Sequence, residues 1–85
     1  NRLSILRNEI IDKLKKKNFN NSLLDFYASQ TGIYLFLDLS DDEVNELKIK
    51  YGIYMISGGR VNITSINSKN IDYFVDSINS SLNKV

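Results

Sequence analysis

Arg60 is the side chain in this sequence whose type and setting together suggest a ligand. It follows Gly58 and Gly59 and leads into Val61-Asn62-Ile63-Thr64, so it opens a strand-like alternation directly after a tight turn. A guanidinium at the end of a sheet is held more rigidly than one on a helix surface. Its planar, permanently charged fork matches a carboxylate through two parallel hydrogen bonds. The two glycines leave space for a ligand or another stretch of backbone to approach. A turn followed by a solvated charge has the same local sequence, and these residues alone leave both readings open.

What the chain lacks narrows the rest. It has no Cys and no His, so no disulfide framework, thiolate nucleophile, imidazole base or sulfur-based zinc site is available. No catalytic or metal-ligating residue is assigned. Asp38, Asp41 and Asp42 lack the spacing of a calcium loop, and the last two are accounted for by a helix start. Lys15, Lys16 and Lys17 read as cations complementing the end of a helix dipole, with phosphate contact as the alternative. The formal charge of +1 supplies no field that would draw in nucleic acid or an anionic membrane. The longest apolar run, Ile33 to Leu37, is far too short to span a bilayer. A cytoplasmic setting is the resulting expectation.

These residues must be positioned by a small fold. Eighty-five residues suffice for one domain, 1–85, with a modest core. Leu3, Leu6, Ile10 and Leu14, widened by Ile11, have helical spacing, with Arg7, Glu9, Asp12 and Lys13 on the other positions. No cap precedes Leu3, which suggests that the helix begins upstream and the chain is a fragment. Asn18, Asn20 and Asn21 read as a turn, and Leu23, Leu24, Phe26 and Tyr27 as a short helix or half-turn. Ile33 to Leu39 alternates as a strand does. Ser40-Asp41-Asp42-Glu43 has the form of a capping box, opening a helix that buries Val44, Leu47 and Tyr51 and ends at Gly52. Ile53 to Ile56 and Arg60 to Thr64 read as two strands joined through Ser57-Gly58-Gly59 in an antiparallel hairpin. In the latter strand Val61 and Ile63 face one side. Asn67 is the expected N-cap of a closing helix with a stripe of Ile71, Phe74, Val75, Ile78 and Leu82. The order helix-strand-helix-strand-strand-helix gives an α+β domain, a small antiparallel-containing sheet flanked by helices.

The run from Tyr51 through Gly59-Arg60-Val61-Asn62 to Thr64, continued by Asn67 to Ile78, resembles the end of the class I pyridoxal-phosphate aminotransferases, aspartate aminotransferases above all. Those enzymes carry an aromatic-Gly-aliphatic-Tyr segment, a turn, Gly-Arg-Val-Asn and an amphipathic closing helix. Gly32-Ile33-Tyr34-Leu35-Phe36 is similar to their Gly-Met-Phe-x-Phe strand, and the likeness extends from about Arg7 to Leu82. Two departures stand out: Thr64-Ser65 replaces Ala-Gly, and Gly58 is an additional turn glycine. Ser68-Lys69-Asn70 also resembles the family's Schiff-base signature, but it occupies the first turn of a surface helix, where Lys69 is solvent exposed.

The resemblance implies a carboxy-terminal small domain of a fold-type I enzyme that moves an amino group between L-aspartate and 2-oxoglutarate. Arg60 would bind the substrate α-carboxylate, and Tyr34 would line the substrate side of the domain. Pyridoxal 5'-phosphate would be bound by parts of the enzyme outside these residues, so the segment alone is expected to be inactive. The implied partners are dicarboxylic amino-acid and oxo-acid substrates, the large domain of the same chain and a second subunit in a homodimer, with no nucleic acid or membrane. The competing reading is a stand-alone split-βαβ-like module binding nucleic acid or protein, with Tyr34 and Phe36 as a stacking platform and Lys48, Lys50 and Arg60 as charge. A third treats the piece as an oligomer-forming accessory domain.

Overall fold

Every helix of the structure begins or ends where the local sequence supplies a cap or loses its apolar stripe. The computed structural model describes residues 2–17 and 19–82; of the turn expected at Asn18, Asn20 and Asn21, Asn18 lies outside them, and Asn20 and Asn21 instead cap and open a helix. Helix α1 covers Arg2–Lys15 and α2 Asn21–Ala28, with the Asn20 side chain accepting from the Leu23 amide at its start. Strand β1 is Tyr34–Phe36. Helix α3, Asp41–Tyr51, opens on the reciprocal Ser40–Glu43 capping box and closes on Gly52 at φ 69°. Strand β2 is Arg60–Asn62, followed by a 3-10 turn at Ile63–Ser65 and helix α4 at Ile71–Leu82.

The α+β class holds, and the sheet is antiparallel, but its partners differ from the hairpin expected. β2 pairs with β1, in the register Tyr34 opposite Asn62, Leu35 opposite Val61 and Phe36 opposite Arg60. Residues 53–56 form no strand and contribute only an isolated bridge between Ile56 and Arg60. The cause lies at the end of α3. The Gly52 amide returns to the Lys48 carbonyl, the 5→1 bond of a left-handed helix stop, and the Ile53 amide returns to that of Leu47, which commits Ile53 to the helix end. The order is therefore two helices, a strand, a helix, a strand, a 3-10 turn and a helix.

The expected strand from Ile33 to Leu39 is also shorter. Asp38 adopts φ 56°, a left-handed conformation that Asp tolerates better than most residues, and it turns the chain out of the strand. Pairing continues beyond it only through the Leu37 and Leu39 amides, which donate to the Gly59 and Gly58 carbonyls.

The core lies between α1, α2 and α4, with α3 against α4 and the buried face of the sheet closing one side. Ile71, Phe74, Val75 and Ile78 are buried, and Leu82 packs at the margin. Helix α4 itself begins at Ile71, and the turn that leads into it is anchored by Asn67. Its side chain accepts from the Lys69 and Asn70 amides, and its carbonyl accepts from Ile71. In α3 only Leu47 is fully buried, Val44 and Tyr51 being half-buried. Lys13 pairs with Asp72 at 2.9 Å and Lys17 with Asp76 at 2.8 Å. The basic end of α1 thus runs beside acidic positions of α4. No helix among the described residues is long and apolar enough to cross a membrane.

Arg7 is the largest departure in α1. Expected on the polar side, it is 3% exposed. Its guanidinium Nη2 donates to the Gly32 carbonyl, while Nε is buried without a partner among the described residues. This contact ties α1 to the turn that enters β1.

Candidate functional site

The exposed face of the two strands carries Tyr34 and Phe36 on β1 and Arg60 and Asn62 on β2, because residues two apart in a strand share a face. Leu35 and Val61 point the other way into the core. The Arg60 guanidinium lies over the Phe36 ring, 4.8 Å from its centroid, an arrangement that holds a cation by the ring quadrupole. Its Nη1 donates to the Ser57 carbonyl at 3.1 Å. Among the described residues no carboxylate pairs with Arg60, so most of its donors remain available to an incoming anion.

The turn before Arg60 is shaped for this placement. Gly58 and Gly59 both have φ 87°, a conformation L side chains rarely adopt. A Cβ on Gly58 would stand 3.3 Å from the Phe36 ring and 3.5 Å from Arg60 Nη1. On Gly59 it would meet Leu39 at 2.8 Å. The extra glycine therefore lets the ring and the guanidinium lie against the turn. At the other end of β2, Thr64 and Ser65 knit the 3-10 turn. The Asn62 side chain accepts from the Thr64 amide at 2.9 Å and from its hydroxyl, and the Ser65 hydroxyl donates to the Asn62 carbonyl at 2.8 Å.

Tyr34 and Arg60 line one shallow cleft of about 300 Å³, shared with Tyr54, Met55, Ile56 and Asn62. The structure thus brings together both residues singled out from sequence. Sequence reasoning gave Phe36 a role only as a stacking platform in the nucleic-acid alternative, not as the ring under Arg60, and gave Tyr54 none at this site. The signal for Phe36 was its strand parity with Tyr34; nothing local pointed to Tyr54. Lys69 is exposed, as expected. None of the described lysines is buried, so none offers the desolvated amine that a Schiff base requires. These residues by themselves do not fit pyridoxal phosphate.

The two-stranded antiparallel sheet flanked by helices matches the small-domain topology of fold-type I enzymes. Within that class the chain matches the aspartate aminotransferases, at moderate identity and over most of its length. It is 32% identical over 77 residues, 91% of this chain, to the cytoplasmic aspartate aminotransferase of Dictyostelium discoideum. It is 30% identical over 77 residues, again 91% of this chain, to the aspartate aminotransferase of Haemophilus influenzae. A putative cytoplasmic aspartate aminotransferase 2 of Bos taurus is 40% identical over 58 residues, 68% of this chain. The aligned regions are 17%, 19% and 14% of those relatives, so the chain spans less than a fifth of the length of each. No protein-family model matches the chain.

Proposed function

We propose that these residues are the carboxy-terminal small domain of a longer aspartate aminotransferase, in which Arg60 binds the substrate α-carboxylate. The observation that carries this reading is the Arg60 guanidinium itself. It is fixed over Phe36 and the glycine turn, has no acidic partner among the described residues, and faces a cleft that Tyr34 also lines. A carboxylate entering there meets a preorganised fork, and little ordering of the arginine is left to be done on binding. Tyr34 forms the wall of that cleft.

In this reading the full-length protein transfers an amino group between L-aspartate and 2-oxoglutarate. Pyridoxal phosphate is held by the large domain, which lies outside these residues, and supplies the electron sink for that chemistry. The segment contributes one half of substrate recognition and moves as a body to close over the site and exclude water. A homodimer in the cytoplasm belongs to the same proposal; the names of the relatives include both cytoplasmic and mitochondrial enzymes.

The nucleic-acid alternative needs an open sheet face with free rings. Strands of three residues present only Tyr34 and Phe36 there, and Arg60 already covers the second ring, which leaves little platform for stacked bases.

The test is an aminotransferase assay of the full-length protein with L-aspartate, 2-oxoglutarate and added pyridoxal phosphate, comparing Arg60 with Arg60→Ala. A large fall in kcat/KM supports both the reaction and the carboxylate role. Activity indifferent to the substitution removes the site assignment. Inactivity with every dicarboxylic substrate removes the enzyme reading.

A further inference from the structure

We propose that Gln30 is a positioning residue for the carboxylate site, acting through Phe36 on Arg60; the inference rests on the Arg60 reading above. The Gln30 side-chain Nε2 donates to the Phe36 carbonyl at 2.8 Å, and the Phe36 amide donates to Gln30 Oε1 at 2.7 Å. A single carboxamide thus holds both backbone polar groups of one residue.

The pairing pattern explains why that residue needs it. Toward β2, the Leu37 amide donates to the Gly59 carbonyl and the Ile63 amide to the Ile33 carbonyl. Odd-numbered residues of this stretch therefore face β2. Backbone groups alternate in direction along an antiparallel strand, so the Phe36 amide and carbonyl point to the opposite, open edge. No further strand lies there among the described residues, and the Gln30 amide occupies the place a neighbouring strand would take. Gln30 is itself fixed. It follows the last turn of α2, its amide donates to the Tyr27 carbonyl at 3.3 Å, and Tyr27 is wholly buried.

The consequence reaches the site in two steps. The clamp sets where the Phe36 backbone lies, and Phe36 carries the ring on which the Arg60 guanidinium rests, opposite it in register. Phe26 meets the same ring edge-on at 6.2 Å between centroids, restricting its tilt. Loosening the clamp lets the ring and the guanidinium shift together. Such a shift weakens ground-state and transition-state hold on the carboxylate equally, which raises KM and leaves kcat nearly unchanged. An edge cap with no link to the site would alter stability and leave KM alone.

The experiment compares Gln30→Met, which keeps length and bulk but loses both hydrogen bonds, and Gln30→Ala in the full-length protein. Each is made alone and together with Phe36→Leu, with Arg60→Ala as the control. The expected result is a rise in KM for both L-aspartate and 2-oxoglutarate of about three- to tenfold with kcat within about twofold. The Gln30 effect should shrink when Phe36 is already Leu, since residues acting in series do not add. If Arg60→Ala collapses activity while both Gln30 variants leave KM within about twofold, the positioning role is overturned and the carboxylate site stands. Additive effects of Gln30 and Phe36 also overturn it. If Arg60→Ala has no effect, the site assignment itself falls, and this inference falls with it.

Discussion

Arg7 and Arg60 occupy two regions that treat the same side chain in opposite ways. Within α1, Arg7 is drawn into the interior, where the Gly32 carbonyl accepts from it and Nε has no partner among the described residues. At the head of β2, Arg60 lies on an aromatic ring at the surface, beside a cleft that it helps to line. Burying an incompletely paired cation is costly, so Arg7 earns its place by packing its long stem and fastening α1 to Gly32. Arg60 is preorganised but incomplete, the condition expected of a group awaiting an anion. The lesson is that an arginine's availability follows from what surrounds its fork, and not from residue type or helix register.

The strongest way to break the comparison is to truncate Arg60. In the full-length protein Arg60→Ala should lower kcat/KM by roughly thirty- to a few-thousand-fold, corresponding to about 2–5 kcal/mol for a desolvated charge pair left half-made. Its melting temperature should stay close to that of the unsubstituted protein, because the side chain is exposed. A loss below about threefold in steady-state kinetics contradicts the assigned role.

The mirror experiment is at Arg7. Arg7→Ala removes buried stem and hydrogen bond together and should destabilise by about 2–4 kcal/mol in denaturant unfolding. Arg7→Met keeps the stem and removes the charge, and should unfold within about 1 kcal/mol of the original. Equal losses in the two variants would make the guanidinium contact, and not the stem, the source of stability.

Alkaline pH should separate the interior from the site. Burial pushes the Tyr27 phenol up to about 12 from an ordinary 10, and the charges of Asp38 and Glu43 add to this. Its hydroxyl donates to the Leu37 carbonyl at 3.1 Å. Below pH 10 both folded and unfolded chains keep the proton and the full contribution is present. Between about 10 and 12 the unfolded chain ionises first, so stability is lost as pH rises through the folded value. Urea titrations across this window should show a smaller loss in Tyr27→Phe, at about 1 kcal/mol lower stability near neutrality. An unchanged loss in that variant would assign the effect to other groups.

The smallest effect is expected at Ser40, whose side chain bonds to Glu43 within the capping box. Ser40→Ala breaks the capping box of α3 and should cost about 1 kcal/mol, read as a small fall in melting temperature. KM should not change.

The capping box, the glycine stop of α3 and the apolar stripe of α4 were legible because each is written within a few residues of itself. The α+β class followed from the same local patterns, whereas the expectation that Tyr34 lies near Arg60 came from the family resemblance alone. The hairpin failed at Ile53, whose amide closes α3 instead of joining a ladder. The role of Arg7 was missed because its position looked polar beside Glu9 and Asp12.

The sequence by itself determined where helices start and stop, which faces are apolar, and that one arginine follows a turn flexible enough for close contact. Only the tertiary structure decided that β2 pairs with β1, that Phe36 lies under Arg60, that Gln30 clamps Phe36, and that Arg7 is enclosed. The physical reason is range. Caps and stripes are set by neighbours three or four residues apart. Strand partners across more than twenty residues, and the burial of a single side chain, depend on which surfaces meet when the whole chain has folded.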